Sequence, residues 1–263
     1  MRSALIRMLL VLALLSVGAA SAQTVVRLNT RTDVQQSYLW LPAPDAVATV
    51  VLMVGGHGWI NLSEDGTQRS LTGNFLARSG MLFLEQGLSV ALPDAPSDRQ
   101  SPPYLAGFRQ TPEHVTDLRA VMADIRTRTG KPVVLVGTSR GTQSAAFVAI
   151  ASRDAGGPDA LVLTSTLLKD RRSDAVPQMD LPSLRLPVLV VHHEKDTCAF
   201  CRFADVPLLT TKLTAPHQVL SYQDGSSRGD PCEAFAYHGY NGIEPRVVQD
   251  IANWIKNVLP HRI

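Results

Sequence analysis

Short apolar runs recur along the chain, and proline, glycine or polar residues bound each of them. Runs of this length, rich in Val and Leu, are typical of strands buried on both faces of a parallel sheet. Two earlier segments alternate apolar and polar residues, which predicts an antiparallel edge hairpin. The predicted hairpin strands are 25–29 and 36–41, and the predicted core strands are 48–54, 88–92, 133–136, 160–166, 187–191 and 219–222.

Segments with apolar residues at helical spacing lie between these runs. The clearest follows Thr111, a capping residue with Pro112 at the first helical position, and ends before Gly130. Further helices are predicted at 75–86, from 142 onwards and at 244–258, although Ser79-Gly80 weakens the middle of the first. Strands that alternate with helices predict an α/β fold with a mostly parallel central sheet flanked by helices.

The first 22 residues differ in kind from the rest. Arg2 and Arg7 precede an apolar run at 8–17, and small residues follow as far as Ala22. This is the pattern of a secretory signal cleaved after Ala22. The apolar run is shorter than the roughly 20 residues that a membrane anchor needs. We therefore expect a signal peptide at 1–22, one domain at 23–263, and no membrane span after cleavage.

The charge balance gives no indication of a polyanionic partner. The 25 basic and 23 acidic residues become 23 of each once Arg2 and Arg7 leave with the signal peptide. A net charge near zero provides no basic field for nucleic acid. A glycosylation sequon at Asn61 falls in a loop assigned below to the active site, where a glycan would obstruct it. These features favour a periplasmic or secreted bacterial protein.

The predicted strand at 133–136 meets the next helix through residues 137–141, Gly-Thr-Ser-Arg-Gly. A G-x-S-x-G sequence in this context describes a nucleophile elbow. So sharp a turn strains the residue at its tip, and glycine on both sides avoids collision with neighbouring backbone. Ser139 would expose its hydroxyl at the positive end of the helix dipole, where the amide of Arg140 could stabilise an oxyanion.

With this elbow the chain resembles the α/β-hydrolase family of serine hydrolases, and the resemblance covers nearly all of 23–263. It implies a single-domain α/β-hydrolase fold, acyl transfer at Ser139 without a cofactor, and partners that lie downstream in the order acid, then histidine. Residues 167–186 stand where the family inserts a lid. Because this segment is short, we expect a short or absent lid.

The resemblance places the acid just after the strand at 187–191, where Asp196 stands, with Glu194 as its rival. A carboxylate there would accept the Nδ1 hydrogen of the catalytic imidazole and stabilise the imidazolium. His238 follows the acid and lies between the last strand and the last helix. The predicted catalytic residues are therefore Ser139, Asp196 and His238.

A second oxyanion donor is expected in residues 55–59, Gly-Gly-His-Gly-Trp, which follow the strand at 48–54. In the resembling enzymes this loop carries a His-Gly pattern, from which this sequence departs. One alignment makes the amide of His57 the donor, and another makes it the amide of Trp59. The sequence leaves both open, and we assign the oxyanion hole to Arg140 and His57.

Three cysteines in an exported chain predict one disulfide and one remaining thiol. Cys198 and Cys201 follow the acid, and Cys232 precedes the histidine. A bond from Cys232 to either of the others would clamp the acid loop to the histidine loop. We favour Cys198 as the partner of Cys232. The alternatives are a bond from Cys232 to Cys201 and a bond between Cys198 and Cys201, which lacks a thioredoxin-like setting.

A zinc site is the rival interpretation of this region. The potential ligands, within ten positions, are His192, His193, Asp196, Cys198 and Cys201. Neighbouring residues of a strand point to opposite faces, and oxidising surroundings favour a disulfide. We therefore expect no metal.

The sequence thus predicts an exported serine hydrolase acting on a small-molecule ester or related acyl substrate. A peptidase or amidase of the same fold is an alternative, because these three residues do not separate the two activities. A non-catalytic binding protein that kept the fold is another. Arg140 is an unusual charge beside a nucleophile and suits either an anionic substrate or an ion pair. The acyl group, the alcohol and the oligomeric state are not determined.

Overall fold

The computed structural model describes residues 23–259, so the predicted signal peptide at 1–22 lies outside the described residues. Its strands are β1 (Thr24–Arg31), β2 (Val34–Leu41), β3 (Thr49–Met53), β4 (Ser89–Pro93), β5 (Val133–Thr138), β6 (Ala160–Thr164), β7 (Val188–His193) and β8 (His217–Tyr222). They form one eight-stranded sheet in the order β1-β2-β4-β3-β5-β6-β7-β8. β2 pairs antiparallel with β1 and β4, and all remaining pairs are parallel.

Helices cover both faces of the sheet. They are α1 (Phe75–Arg78), α2 (Gly80–Glu85), α3 (Pro112–Thr129), α4 (Gly141–Ala151), α5 (Pro207–Thr210) and α6 (Glu244–Val258). Alternate residues of β3 belong to two separate apolar clusters: Val51 packs with α3 and α4, and Val50 packs with α2 and α6. A strand buried on both faces needs apolar side chains throughout, which explains the unbroken apolar runs. The predicted α/β-hydrolase architecture is confirmed.

The caps of α3 follow from its sequence. The hydroxyl of Thr111 accepts a hydrogen bond from the amide of His114 at 3.3 Å, and Pro112 occupies the first turn. Gly130 ends the helix in the left-handed region, at φ 62°, which glycine adopts without a steric cost. The end of α3 leads directly into β5, the strand that precedes the elbow.

The predicted ends of the strands lie within two residues of the observed ones, and the departures at two elements have a structural reason. The helix expected at 75–86 breaks at Ser79, whose ψ of 3° ends α1 before α2 begins. β8 begins two residues earlier than predicted, at His217. β8 is an edge strand with mostly exposed side chains, so its first residues carry no apolar pattern.

The segment between β6 and β7 contains two short 3-10 turns, Val176–Gln178 and Leu181–Ser183, which pack against α4. This matches the expected short lid. The carboxyl ends of the parallel strands β5 and β7 lie at the same edge of the sheet. Within residues 23–259, no helix combines the length and the hydropathy that a membrane crossing requires.

Candidate active site

The turn between β5 and α4 has the backbone of a nucleophile elbow. Ser139 has φ 52°, a conformation that is uncommon for a residue with a side chain. A Cβ atom at Gly137 would lie 2.6 Å from the carbonyl oxygen of Gly141. A Cβ atom at Gly141 would lie 2.0 Å from the carbonyl oxygen of Met53 in β3. Both glycines are therefore required by close backbone contacts.

Asp196 and His238 form a buried hydrogen-bonded pair. Oδ2 of Asp196 lies 2.8 Å from Nδ1 of His238, and the two residues are 3% and 5% exposed. Oδ1 of Asp196 accepts the amide hydrogen of Cys198 at 2.9 Å, which fixes the carboxylate. A carboxylate at Nδ1 selects the tautomer with hydrogen there and leaves Nε2 as the acceptor. The rival Glu194 instead accepts a hydrogen bond from Ser221 of β8, at 2.7 Å.

Ser139 and His238 line the same cavity of about 760 Å³. Among the described residues Nε2 of His238 has no hydrogen-bond partner, so the Ser139 hydroxyl does not bond to it in this conformation. Catalytic hydrogen bonds are often long in unliganded enzymes and shorten when substrate binds. The structure places both residues in the lining of one cavity without a hydrogen bond between them.

The thiol of Cys201 is buried beside this pair. A His238 ring nitrogen and the sulfurs of Cys201 and Cys198 all lie within 4.8 Å of one another. Burial raises the pKa of the Cys201 thiol; the charge of Asp196 adds to this effect, and the neighbouring Ser139 hydroxyl opposes it. The Cys201 side chain is therefore a neutral neighbour of the candidate nucleophile.

Two fully buried residues fix the backbone at His238, and sequence reasoning missed this role for both. The hydroxyl of Ser165 donates to the carbonyl oxygen of His238 at 2.7 Å. The phenol of Tyr240 donates to the carbonyl oxygen of Val191 at 2.7 Å and accepts the Ser165 amide hydrogen at 3.0 Å. The histidine loop is thereby attached to the ends of β6 and β7, which no local sequence pattern reveals.

The loop after β3 contacts the elbow directly. A Cβ atom at Gly55 would lie 2.9 Å from the Cβ atom of Ser139. The amide of Trp59 donates to Nδ1 of His57 at 3.1 Å and is therefore engaged. Among the described residues, the amides of His57 and Arg140 donate to no protein acceptor, and both residues line the cavity. This arrangement favours the alignment in which His57 is the second oxyanion donor.

Asp94, at the end of β4, organises the segment that follows this loop. Its carboxylate accepts the amide hydrogens of Ile60, Leu62 and Ala95 at 2.8–2.9 Å. Burial raises the pKa of Asp94, although these hydrogen bonds oppose the rise. Its role is structural, since it does not line the cavity of Ser139.

Arg109 holds the start of the loop after β3. Its guanidinium donates to the carbonyl oxygens of Val54 and Gly56 at 3.3 and 3.2 Å, and to the hydroxyl of Ser144 in α4 at 2.9 Å. Burial, and then the charge of Arg109, lowers the pKa of the His57 imidazole. Sequence reasoning missed Arg109, because its partners lie 35 to 55 positions away.

Cys198 and Cys232 form a disulfide across 34 positions, and Cys201 remains a free, buried thiol. This is the pair that the sequence favours, and it ties the acid loop to the histidine loop. The five potential ligands of the rival zinc interpretation do not form one cluster among the described residues, and Nε2 of His192 accepts the amide hydrogen of Thr166 at 2.8 Å. Because Cys198 is oxidised, its sulfur is also not available as a thiolate ligand.

The walls of the cavity are partly apolar, with Leu71, Phe75, Phe200 and Phe235 among the lining residues. Three large aromatic residues, Trp59, Phe108 and Tyr240, do not line it. The Arg140 guanidinium pairs with Asp170 at 2.9 Å. Burial alone would raise the pKa of Asp170, but hydrogen bonds from Arg140 and Ser173 hold it below its usual value.

Solved structures of similar shape are α/β hydrolases. A dienelactone hydrolase from Anabaena variabilis has a TM-score of 0.64 at 14% identity, over 90% of this chain and 98% of its own. A serine hydrolase without a lid from Xanthomonas campestris has a TM-score of 0.59 at 16% identity, over 92% and 98%. A cold-adapted esterase from an Arctic intertidal metagenomic library has a TM-score of 0.59 at 15% identity, over 90% of this chain and 94% of its own.

Comparisons of the sequence with protein-family models and with curated proteins gave no match. At these identities the structural likeness establishes the fold, and the chain has the α/β-hydrolase fold.

Proposed function

We propose that this protein is a serine hydrolase that cleaves small carboxylic esters through an acyl-enzyme on Ser139. The observation that carries the proposal is the buried Asp196–His238 pair, joined at 2.8 Å, in the cavity that Ser139 lines. A serine on a strained elbow with an oriented histidine nearby is the arrangement of an activated nucleophile. Structural neighbours include proteins described as esterases and as a dienelactone hydrolase.

In the proposed reaction, Nε2 of His238 removes the proton of Ser139 as its oxygen attacks the ester carbonyl. The imidazolium that forms is stabilised by Asp196, which stays ionised. The carbonyl oxygen becomes an oxyanion, held by the amides of Arg140 and His57. The imidazolium then protonates the leaving alcohol, and a water molecule activated by the same histidine releases the acid. The proposal requires the hydroxyl of Ser139 and Nε2 of His238, which line the same cavity, to come within hydrogen-bonding distance when substrate binds.

Replacement of the candidate nucleophile tests this proposal. We expect Ser139→Ala to lower kcat for a short-chain p-nitrophenyl ester by at least about a thousandfold, because acylation needs this hydroxyl. The midpoint of its unfolding in denaturant should be the same as that of the wild type. Ser101→Ala, at an exposed serine outside the cavity, is the matched control and should keep full activity.

A fluorophosphonate probe provides a second measurement on the same proteins. We expect the probe to label the wild type and Ser101→Ala on Ser139, and to leave Ser139→Ala unlabelled. Unreduced turnover by Ser139→Ala, or probe attached to another residue, would contradict the proposed nucleophile.

We also propose that residues 1–22 are removed on export and that the remaining chain acts as one domain in the periplasm or medium. A disulfide between Cys198 and Cys232 is compatible with an oxidising compartment. Mass spectrometry of protein from a bacterial periplasm should give a chain that starts at Gln23. A chain recovered intact from the cytoplasm alone would contradict export.

A further inference from the structure

A second cavity, of about 270 Å³, lies beside the one that Ser139 lines. The two share Gly56, His57 and Arg140, so they meet at the oxyanion loop and the elbow. Three arginines contribute to the second cavity, and none of its lining residues carries a carboxylate. Its polar lining consists of His57, Arg109, Gln110, Arg140, Gln143, Arg172 and Ser173.

Arg109 is the most unusual of these residues, because it is only 5% exposed and has no charged partner within residues 23–259. All three acceptors of its hydrogen bonds are neutral oxygens. Burial, and then the charge of Arg140, lowers its pKa to about 9. A buried cation without a counter-ion is costly, and an anion bound nearby offsets that cost.

The other two arginines increase the positive charge of this cavity. Arg140 forms an ion pair with Asp170 at 2.9 Å, and the exposed Arg172 pairs with no carboxylate among the described residues. Of the three arginines that line the cavity, only Arg140 therefore has a carboxylate partner among the described residues, and that partner, Asp170, is outside the lining. The fork of a guanidinium group matches the two oxygens of a carboxylate.

We infer that the second cavity binds a carboxylate of the substrate, so that the preferred esters carry a negatively charged group at the end of their acyl chain. This inference rests on the proposed function and narrows its substrate class. The scissile carbonyl would lie at Ser139, and the acyl chain would pass Gly56 and His57 to reach the arginines. The apolar lining of the larger cavity would then hold the alcohol.

Pairs of esters that differ only in the terminal group test the inference. The p-nitrophenyl half-esters of hexanedioic and octanedioic acid are compared with p-nitrophenyl hexanoate and octanoate, after subtraction of spontaneous hydrolysis. For at least one chain length, we expect kcat/KM of the half-ester to exceed that of the neutral ester by on the order of tenfold. The preference should weaken as salt is added, because Arg172 is exposed.

Arg172→Gln removes a charge of the cavity without disturbing a buried contact, and it should lower this ratio several-fold. The matched control is Arg171→Gln, which removes an equal charge from an exposed neighbour outside the cavity and should preserve the ratio. Arg109→Gln is less suitable, since it would also release the oxyanion loop.

A wild-type ratio at or below one for both chain lengths would overturn the inference while leaving the proposed ester hydrolysis intact. Equal effects of Arg171→Gln and Arg172→Gln would show only a long-range influence of charge, and would also overturn it. If the protein hydrolyses neither the half-esters nor the neutral esters, the proposed function is contradicted, and this inference is contradicted with it.

Discussion

Burial keeps two histidines of this protein neutral at pH values far below the usual pKa of an imidazole. It lowers the pKa of His114 and of His192 to about 3, helped by the charges of Arg109 and His238 respectively. In the unfolded chain both imidazoles take up a proton near pH 6.5. The folded state therefore binds fewer protons than the unfolded state between these values, and its stability falls as the pH falls through this window.

We expect the free energy of unfolding to decrease as the pH is lowered from about 6.5 to about 4.5, before most carboxylates titrate. His114→Leu should flatten this decrease, because it removes one of the two groups. Both ring nitrogens of His114 are buried without a hydrogen-bond partner within the described chain, and the ring packs on Phe108. The variant should therefore lose little stability near neutral pH. Urea denaturation across the pH range measures both quantities, and parallel curves for the two proteins would contradict this account.

The elbow and the loop beside it depend on the close approach of two elements. The first residue of α4, Gly141, lies against the end of β3. Gly55, in the loop that follows β3, lies against Ser139. A side chain at Gly141 would force the helix away from the sheet, and the nucleophile would move with it. Position 141 therefore couples packing to the geometry of the candidate site.

Gly141→Ala should destabilise the protein by at least about 2 kcal/mol, as overpacking against fixed backbone does. It should also reduce ester hydrolysis at temperatures where the fold is intact. Gly80→Ala is the matched control, because the new Cβ would find neighbours at 3.7 and 4.0 Å, which is ordinary contact. In a helix this change should stabilise by a few tenths to about 1 kcal/mol. Equal stabilities of the two variants in chemical denaturation would contradict the packing argument.

At the scale of the whole molecule, several long-range contacts hold the acid, the histidine and the oxyanion loop together. The disulfide joins the loops after β7 and β8. Arg78 of α1 donates to the carbonyl oxygen of Gly239 at 2.6 Å and pairs with Glu244 of α6 at 2.7 Å. The histidine loop is therefore attached to the acid loop and to two helices, α1 and α6, that pack on the same face of the sheet.

The double variant Cys198→Ala/Cys232→Ala should lose about 3 kcal/mol of stability, the typical effect of opening a loop of this length. The loss of activity should exceed the loss expected from the unfolded fraction alone, because the loops of Asp196 and His238 then move independently. Cys201→Ala is the control with an intact disulfide. Reductant should lower the denaturation midpoint of Cys201→Ala and leave the double variant unaffected. A wild type insensitive to reductant under unfolding conditions would contradict this role.

The sequence predicted the features that depend on nearby residues. The strands of the core were recognisable because a strand buried on both faces must be apolar at every position. Helix α3 was recognisable because its capping residues adjoin it in the sequence. The position of Ser139 was recognisable because the elbow is set by five consecutive residues. The edge strand β8 and the break at Ser79 were missed in detail, since neither produces a distinct apolar pattern.

Contacts between distant residues could not be predicted in this way. Arg109 and Gly56 are 53 positions apart, and Tyr240 and Ser165 are 75 positions apart. Neither pair carries a motif, because each contact exists only where the sheet order brings separate loops together. The same holds for the cavity of three arginines, two of which, Arg109 and Arg172, come from loops that precede and follow the elbow in the chain.

The amino-acid sequence by itself determined the class of fold and the sharp turn at Ser139, because these follow from apolar periodicity and a short motif. The resemblance to the α/β hydrolases implied the order of the candidate partners. Tertiary structure alone decided that the Trp59 amide is occupied, that the Ser165 hydroxyl holds the backbone of His238, and that Arg109 has no counter-ion within residues 23–259. The physical reason is that hydrogen bonding and desolvation depend on which atoms meet in space, and sequence spacing does not encode that.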